Sequence, residues 1–249
     1  MSDEMHTSDD VTVVLVHGAF ADASSWSGVI ERLQRRGVTV TAPANPLRGI
    51  EIDSAYIASV LKQTPGPVVA VGHSYGGAVV TNAAAEADNV IGLVYVAAFA
   101  PDEGERLGEV EAGSKDSVLN DALIPHQYPV AGGGTATEFS IDPDKTRNAF
   151  AGDLSDEQAH LIAAVQRPIA EAGFSEPTGP PAWKKLPSWA VVATGDKAAG
   201  ADVVRSMAER AGAKITEVDG SHVIMISQPD AVCEVILEAV AAVHAPVGA

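Results

Sequence analysis

The chain has 249 residues, 46% hydrophobic and 20% charged, a balance that excludes a disordered, collagen-like or coiled-coil protein. Sixteen basic against thirty-three acidic side chains leave a net charge of −17, and such a surface repels nucleic-acid backbones and anionic membranes. The single cysteine, Cys233, permits neither an internal disulfide nor a Cys-based metal cluster.

The first ten residues carry four acids and no Lys or Arg, where a signal peptide would carry positive charge. No apolar run reaches the ~18 residues of a spanning helix, so the expectation is a cytoplasmic protein. From there, short β-branched runs alternate with helical patterns. The strands predicted are Val11–Val16, Val38–Ala42, Val68–Gly72, Ile91–Ala97, Trp189–Thr194 and Lys214–Val218. Near-continuous apolar runs suit strands buried on both faces, whereas Lys214–Val218 alternates as an edge strand would. Helices are predicted over Ser25–Arg36, Asp53–Gln63, Tyr75–Ala87, Ala201–Ala211 and Asp230–Val243. Gly37 is placed to cap the first, and Gln228-Pro229-Asp230 to open the last. The pattern predicts an α/β fold: a mostly parallel six-stranded sheet with helices on both faces, in a single domain over 1–249.

The alternation breaks between 101 and 183, where prolines and Gly132-Gly133-Gly134 punctuate the chain. Two short helices are predicted there, Asp144–Ala151 and Asp156–Gln166, with Ser155 and Gln158 as a capping box. A segment this long inside a compact domain usually covers an active site, so 101–183 reads as a small helical cap inserted into a core of 11–100 and 184–245. Residues 101–176 hold fifteen acids and five bases, making the cap the acidic part of a nearly neutral body.

The strongest local signal is Val71-Gly72-His73-Ser74-Tyr75-Gly76-Gly77: an apolar strand running into Gly-x-Ser-x-Gly and then a helix. This is the pattern of a nucleophile elbow, in which a tight turn lifts the serine hydroxyl clear of the sheet. A serine hydroxyl attacks only when a base takes its proton. Of seven histidines, His6 and His244 lie near the ends, His126 and His160 in the cap, and His17 and His73 at strand ends, where they are placed to orient backbone. His222 alone follows the last strand and precedes the closing helix, so it is the candidate base. Asp196, directly after the fifth strand, is the candidate acid, with Asp102 after the fourth as the alternative. The N–H groups of Ala19, in the loop after the first strand, and of Tyr75 are candidate oxyanion donors. Phe20, Tyr128, Phe139 and Phe150 are candidate pocket walls by position, and Trp26 an anchor of the first helix.

Taken together, these residues resemble the α/β-hydrolase fold, and within it the small esterases that group with plant methylesterases and hydroxynitrile lyases and their bacterial relatives. The resemblance runs over nearly the whole chain: Val14-Leu15-Val16-His17-Gly18-Ala19 with Trp26, the elbow, Val96-Ala97-Ala98-Phe99-Ala100-Pro101-Asp102, Gln166-Arg167-Pro168, Thr194-Gly195-Asp196-Lys197 and Ser221-His222-Val223. It implies Ser74, Asp196 and His222 as a triad, Ala19 and Tyr75 as the oxyanion hole, and neither cofactor nor metal. The lyases carry threonine, glutamate and lysine where Gly18, His73 and Val223 stand here; an aliphatic Val223 cannot hold a departing cyanide, so the resemblance favours a hydrolase. Ser74 excludes the relatives with an aspartate nucleophile. Where the family continues with Ile-Pro after the acid, this chain has Ala198-Ala199-Gly200-Ala201, a softer loop. The expectation is a serine hydrolase of small carboxylic esters, with a neutral small-molecule substrate, no nucleic-acid or membrane partner, and a state of monomer or homodimer. A lyase or perhydrolase using the same triad, or a ligand receptor on this fold, are the alternatives.

Overall fold

A computed structural model describes residues 11–244; the acidic opening segment with His6, and residues 245–249, lie outside the described residues. The main sheet contains β1 (Thr12–Val16), β2 (Thr39–Thr41), β3 (Val68–His73), β4 (Val90–Val96), β8 (Ser188–Ala193) and β9 (Lys214–Val218). They run parallel in the order β2-β1-β3-β4-β8-β9. Every residue of β1, β3 and β8 is buried, as unbroken apolar runs require, whereas the edge strand β9 exposes Lys214 and Glu217. The order reverses between β1 and β3, and the turns leaving the carboxyl ends of those two strands face the crevice such a switch opens.

The helices follow the predicted pattern with shifted ends. A 3₁₀ turn, Ala23–Trp26, precedes α1 (Ser27–Arg35), because Asp22 caps it by accepting from Ser24 N–H. Gly37 closes α1 with φ 77. Helix α2 (Ile50–Gln63) starts three residues before Asp53, the residue predicted to open it. Its first turn is satisfied from far away, by Glu176 accepting from Glu51 N–H at 3.1 Å. Helix α3 (Tyr75–Ala83) then follows β3 directly.

Between β4 and β8 the chain forms α4 (Leu107–Ala112), a hairpin of β5 (Leu123–Pro129) and β6 (Thr135–Ile141), α5 (Thr146–Ala149), α6 (Asp156–Val165), β7 (Ile169–Ala170) and α7 (Ala172–Ser175). The segment expected to be helical therefore also contains a three-stranded antiparallel sheet, β5-β6-β7. Pro125 and Pro129 interrupt the strand pattern in sequence, yet β5 is an edge strand, where a missing N–H is tolerated. Gly132, Gly133 and Gly134 turn the hairpin with φ of 87, 95 and 93. The capping box of Ser155 and Gln158 opens α6 as predicted. The remaining helices are α8 (Ala201–Arg210), α9 (Ile224–Ser227) and α10 (Pro229–His244), the last burying Val232, Cys233 and Ile236 in the core.

The close packing of backbone around the β3–α3 turn sets a sharp steric limit. A Cβ on Gly72 would lie 2.5 Å from the Gly76 carbonyl oxygen, and one on Gly77 2.5 Å from that of Phe99. Neither neighbour is a side chain that could swing aside. Gly72→Ala and Gly77→Ala should each cost roughly 3 kcal/mol or more of unfolding free energy in urea titrations. Gly152→Ala, where the nearest atom is 3.6 Å away, should stay within about 0.5 kcal/mol of the parent.

Candidate active site

Ser74 sits where β3 turns into α3, with φ 53 and ψ −125, a conformation that L-residues adopt only under constraint. The constraint is steric. Gly18 lies so close that a Cβ there would fall 2.7 Å from Ser74 Cβ, so the turn after β1 and the turn after β3 pack backbone to backbone. Tyr75 opens α3, and the first N–H groups of a helix have no acceptor within it. Ala19 is buried on the neighbouring turn, and Phe20 beside it has φ 58.

His222 comes to this place on the loop after β9. Its carbonyl accepts from His73 Nε2 at 3.0 Å, and the two rings lie 4.7 Å apart. His73 immediately precedes Ser74, so this bond seats the loop carrying His222 against the elbow. His222 Nδ1 lies 2.8 Å from Asp196 Oδ2, and both side chains are only 1% exposed. With Nδ1–H donated to the carboxylate, Nε2 keeps its lone pair for a proton. The other Asp196 oxygen, Oδ1, accepts from Ala198 N–H at 2.8 Å and Ala199 N–H at 3.1 Å. The loop that departs from the family's Ile-Pro thus grips the carboxylate by two amides, one of which a proline would lack. Asp102 is elsewhere, 2.5 Å from Lys184 Nζ, and that hydrogen bond holds its carboxyl below the usual range.

Two more histidines are buried here. His17 Nε2 accepts from Asn45 N–H at 2.9 Å, which obliges Nδ1 to carry the proton and donate it to Gly18 O, also at 2.9 Å. Asn45 Nδ2 donates to His17 O at 3.1 Å, and Arg167 Nη1 to Asn45 O at 3.1 Å. Fixing the Gly18 carbonyl toward the ring turns the trans peptide's other end, Ala19 N–H, the opposite way. Burial lowers the His17 pKa to about 4, against the raising effect of its bond to Gly18. His73 is pushed well below its ordinary value, first by burial and then by the neighbouring His222. Of the cap histidines, His126 bonds Ser140 Oγ at 2.8 Å on an exposed strand and His160 is exposed on α6.

The four candidate wall residues part company. Phe20 and Phe150 meet edge to face at 6.1 Å, the Phe150 ring lies 5.0 Å from that of His222, and both phenylalanines line a cavity of about 200 Å³. Val223, Leu154, Leu161, Ile162, Val165 and Ile226 add to its apolar wall. Phe139 instead lies 6.4 Å from Phe174 in a separate cavity of about 680 Å³ inside the inserted segment. Tyr128 lies under the Arg48 guanidinium at 4.5 Å. The sequence reading missed Asn45, whose partner is 28 residues away, and no local pattern marks it. Among the described residues no group of three or more His, Cys, Asp or Glu could hold a metal ion, and no helix is long and apolar enough to cross a membrane.

The sequence pattern of the alpha/beta hydrolase family matches residues 13–235. No curated protein sequence matches the chain. Solved structures do. Polyneuridine aldehyde esterase superposes with a TM-score of 0.74 at 22% identity, over 92% of this chain and 98% of its own. A pyrethroid hydrolase from Sphingobium faniae JZ-2 gives 0.75 at 21%, over 93% and 98%. A methylesterase from Arabidopsis gives 0.74 at 20%, over 93% and 99%. At these identities the likeness is one of fold.

The two neutral histidines make stability depend on pH. A histidine whose folded pKa lies below its unfolded value is protonated first in the unfolded chain, so stability is complete above pH 6.5 and falls as the pH drops toward the folded value. For His17, with a folded pKa of about 4, the loss between pH 7 and pH 5 is about 2 kcal/mol, and His73 adds to it. Urea midpoints measured across that range should fall accordingly, and His17→Gln should flatten the slope.

Proposed function

The chain belongs to the alpha/beta hydrolase family, and within it we propose that the protein hydrolyses small carboxylic esters through an acyl-serine intermediate. The observation that carries the reading is the 2.8 Å bond from His222 Nδ1 to a buried Asp196, with the His222 carbonyl itself bonded to His73, the residue before Ser74. That bond fixes the tautomer a general base needs and stabilises the imidazolium formed when it accepts a proton. His222 Nε2 takes the Ser74 proton as Oγ attacks the ester carbonyl. The tetrahedral oxyanion is held by the N–H groups of Ala19 and Tyr75, a kind of donor worth about 3–4 kcal/mol each. His222 then protonates the leaving alcohol, and later takes a proton from the water that splits the acyl-serine.

Three solved structures of this fold bear names of ester hydrolysis or pyrethroid hydrolysis, which is in keeping with the reading. Against a cyanide-releasing lyase stands Val223, aliphatic and 1% exposed, beside the proposed base. The cavity bounded by Phe20, Phe150, Val223 and Ile162 is lined by the residues next in sequence to Ala19 and His222, and in this reading it receives one side of a bound ester. Its volume of about 200 Å³ admits a group as large as roughly seven water molecules. The acidic excess of the inserted segment favours a neutral ester over an anionic one.

A p-nitrophenyl ester series from acetate to decanoate tests this. Ser74→Ala should lower kcat/KM by about 10⁴-fold or more while leaving the melting transition unchanged. Turnover should rise with chain length until the cavity is filled, then fall. Ile162→Trp, which narrows the cavity, should move the optimum to shorter acyl chains and cost the hexanoate roughly tenfold relative to the acetate. Ester turnover surviving in Ser74→Ala would remove the basis of the assignment.

A further inference from the structure

Asp53 stands on α2, outside the groups just assigned, and is fully buried. Fully buried carboxylates are rare unless something specific holds them. Here three bonds do. Its two oxygens accept from Arg48 N–H at 3.0 and 3.1 Å, and Oδ2 accepts from the Tyr75 phenol at 2.8 Å. The guanidinium of Arg48 is turned away, to Glu138 at 2.6 Å and over the Tyr128 ring. Two of these bonds serve the Arg48 N–H just ahead of α2, as Glu176 serves Glu51 N–H within it, and the third does not serve the helix end at all. The bond to Tyr75 is the contact that reaches out of α2.

Tyr75 follows Ser74 directly, so its N–H belongs to the peptide that leaves the strained serine. One end of this residue is thus the proposed oxyanion donor and the other is the phenol on Asp53. A residue held at both ends cannot roll about the axis of α3. Its ring is also walled by the inserted segment, since a Cβ on Gly173 would come within 3.1 Å of Tyr75 Cε2. Burial and the adjacent carboxylate both push the phenol pKa upward, which keeps the hydroxyl protonated as the donor.

We propose that Asp53 is a positioning residue: through the Tyr75 hydroxyl it fixes the orientation of the peptide whose N–H meets the oxyanion. This rests on the esterase reading of Ser74. Arg48 extends the same chain of contacts to β6 and β5, so the seating of the inserted segment and the aim of the donor are mechanically joined.

The test uses a p-nitrophenyl alkylphosphonate, which reports on the oxyanion site without needing the natural ester. Ser74 Oγ forms a bond to phosphorus, the bond from phosphorus to the nitrophenol oxygen breaks, p-nitrophenolate leaves, and the serine proton passes to His222. Release at 405 nm gives the rate, and mass spectrometry of the peptide containing Ser74 gives the site. Measured well below their melting temperatures, Tyr75→Phe and Asp53→Ala should each be labelled about ten- to a hundredfold more slowly than the parent. The double variant should be no slower than the worse single one, because both act through one bond. In ester turnover the loss should fall on kcat with KM nearly unchanged, and Asp53→Asn, which keeps one acceptor oxygen, should recover part of it. Asp53→Asn also serves if Asp53→Ala does not fold. Labelling of Tyr75→Phe and Asp53→Asn at the parental rate, with only their melting temperatures lowered, overturns the positioning role and leaves the esterase reading intact. Absence of a Ser74 adduct in the parent protein defeats that reading first, and the positioning role with it.

Discussion

Ser74 keeps a positive φ because three stretches of backbone close on it from different directions. Gly72 and Gly76 press on one another across the turn, Gly77 meets the segment leaving β4 at Ala98 and Phe99, and Gly18 brings the loop after β1 against the serine Cβ. Each contact leaves no room for a methyl group. The strain of the turn, about 1–3 kcal/mol for a residue in such a region, is over-determined by this packing and cannot relax locally. Everything proposed for the site depends on it, because the same contacts press the turn of Gly18 and Ala19 against the turn of Ser74 and Tyr75.

Burial then sorts the titratable groups by what each is bonded to. His17, His73 and His222 are all excluded from water, yet their hydrogen bonds give them different parts. His17 spends both ring nitrogens on backbone, and His73 donates one to the carbonyl of residue 222. Desolvation keeps both neutral. His222 is the one whose Nδ1 faces a carboxylate, a partner able to stabilise the cation that proton transfer creates. A shared low-dielectric setting therefore does not make the three equivalent: two are spent on backbone groups that orient turns, and one is paired with a carboxylate.

The parallel sheet was legible in the sequence because unbroken apolar strands and amphipathic helices each carry a local period, and the elbow because its glycines answer a local steric demand. Order along the chain was enough to select Asp196 and His222 as the pair to be compared, and the geometry then brings those two together and sends Asp102 to Lys184. What stayed hidden was set by distant partners. Helix α2 begins at Ile50 because a glutamate 125 residues away satisfies its end, and no neighbour of Ile50 announces that. The strand β5 was masked by prolines that only its edge position tolerates. Asn45 and Asp53 look like ordinary turn and helix-start residues until the fold brings His17 and Tyr75 to them.

The inserted segment is fastened unevenly. Its sheet is stitched to the body by Ala170 N–H on the Leu47 carbonyl and by the pair of Arg48 with Glu138, whereas α6 presents Leu161 and Val165 to solvent at 63% and 52% exposure beside the small cavity. Its N-terminus is closed by its own capping box, and just ahead of it Asp153 accepts from the Ser221 hydroxyl of the body. A helix that turns Ala159 and Ala163 inward and leaves Leu161 and Val165 in water can exchange its outer side chains without disturbing the hydrogen bonds that tie the inserted sheet to the body.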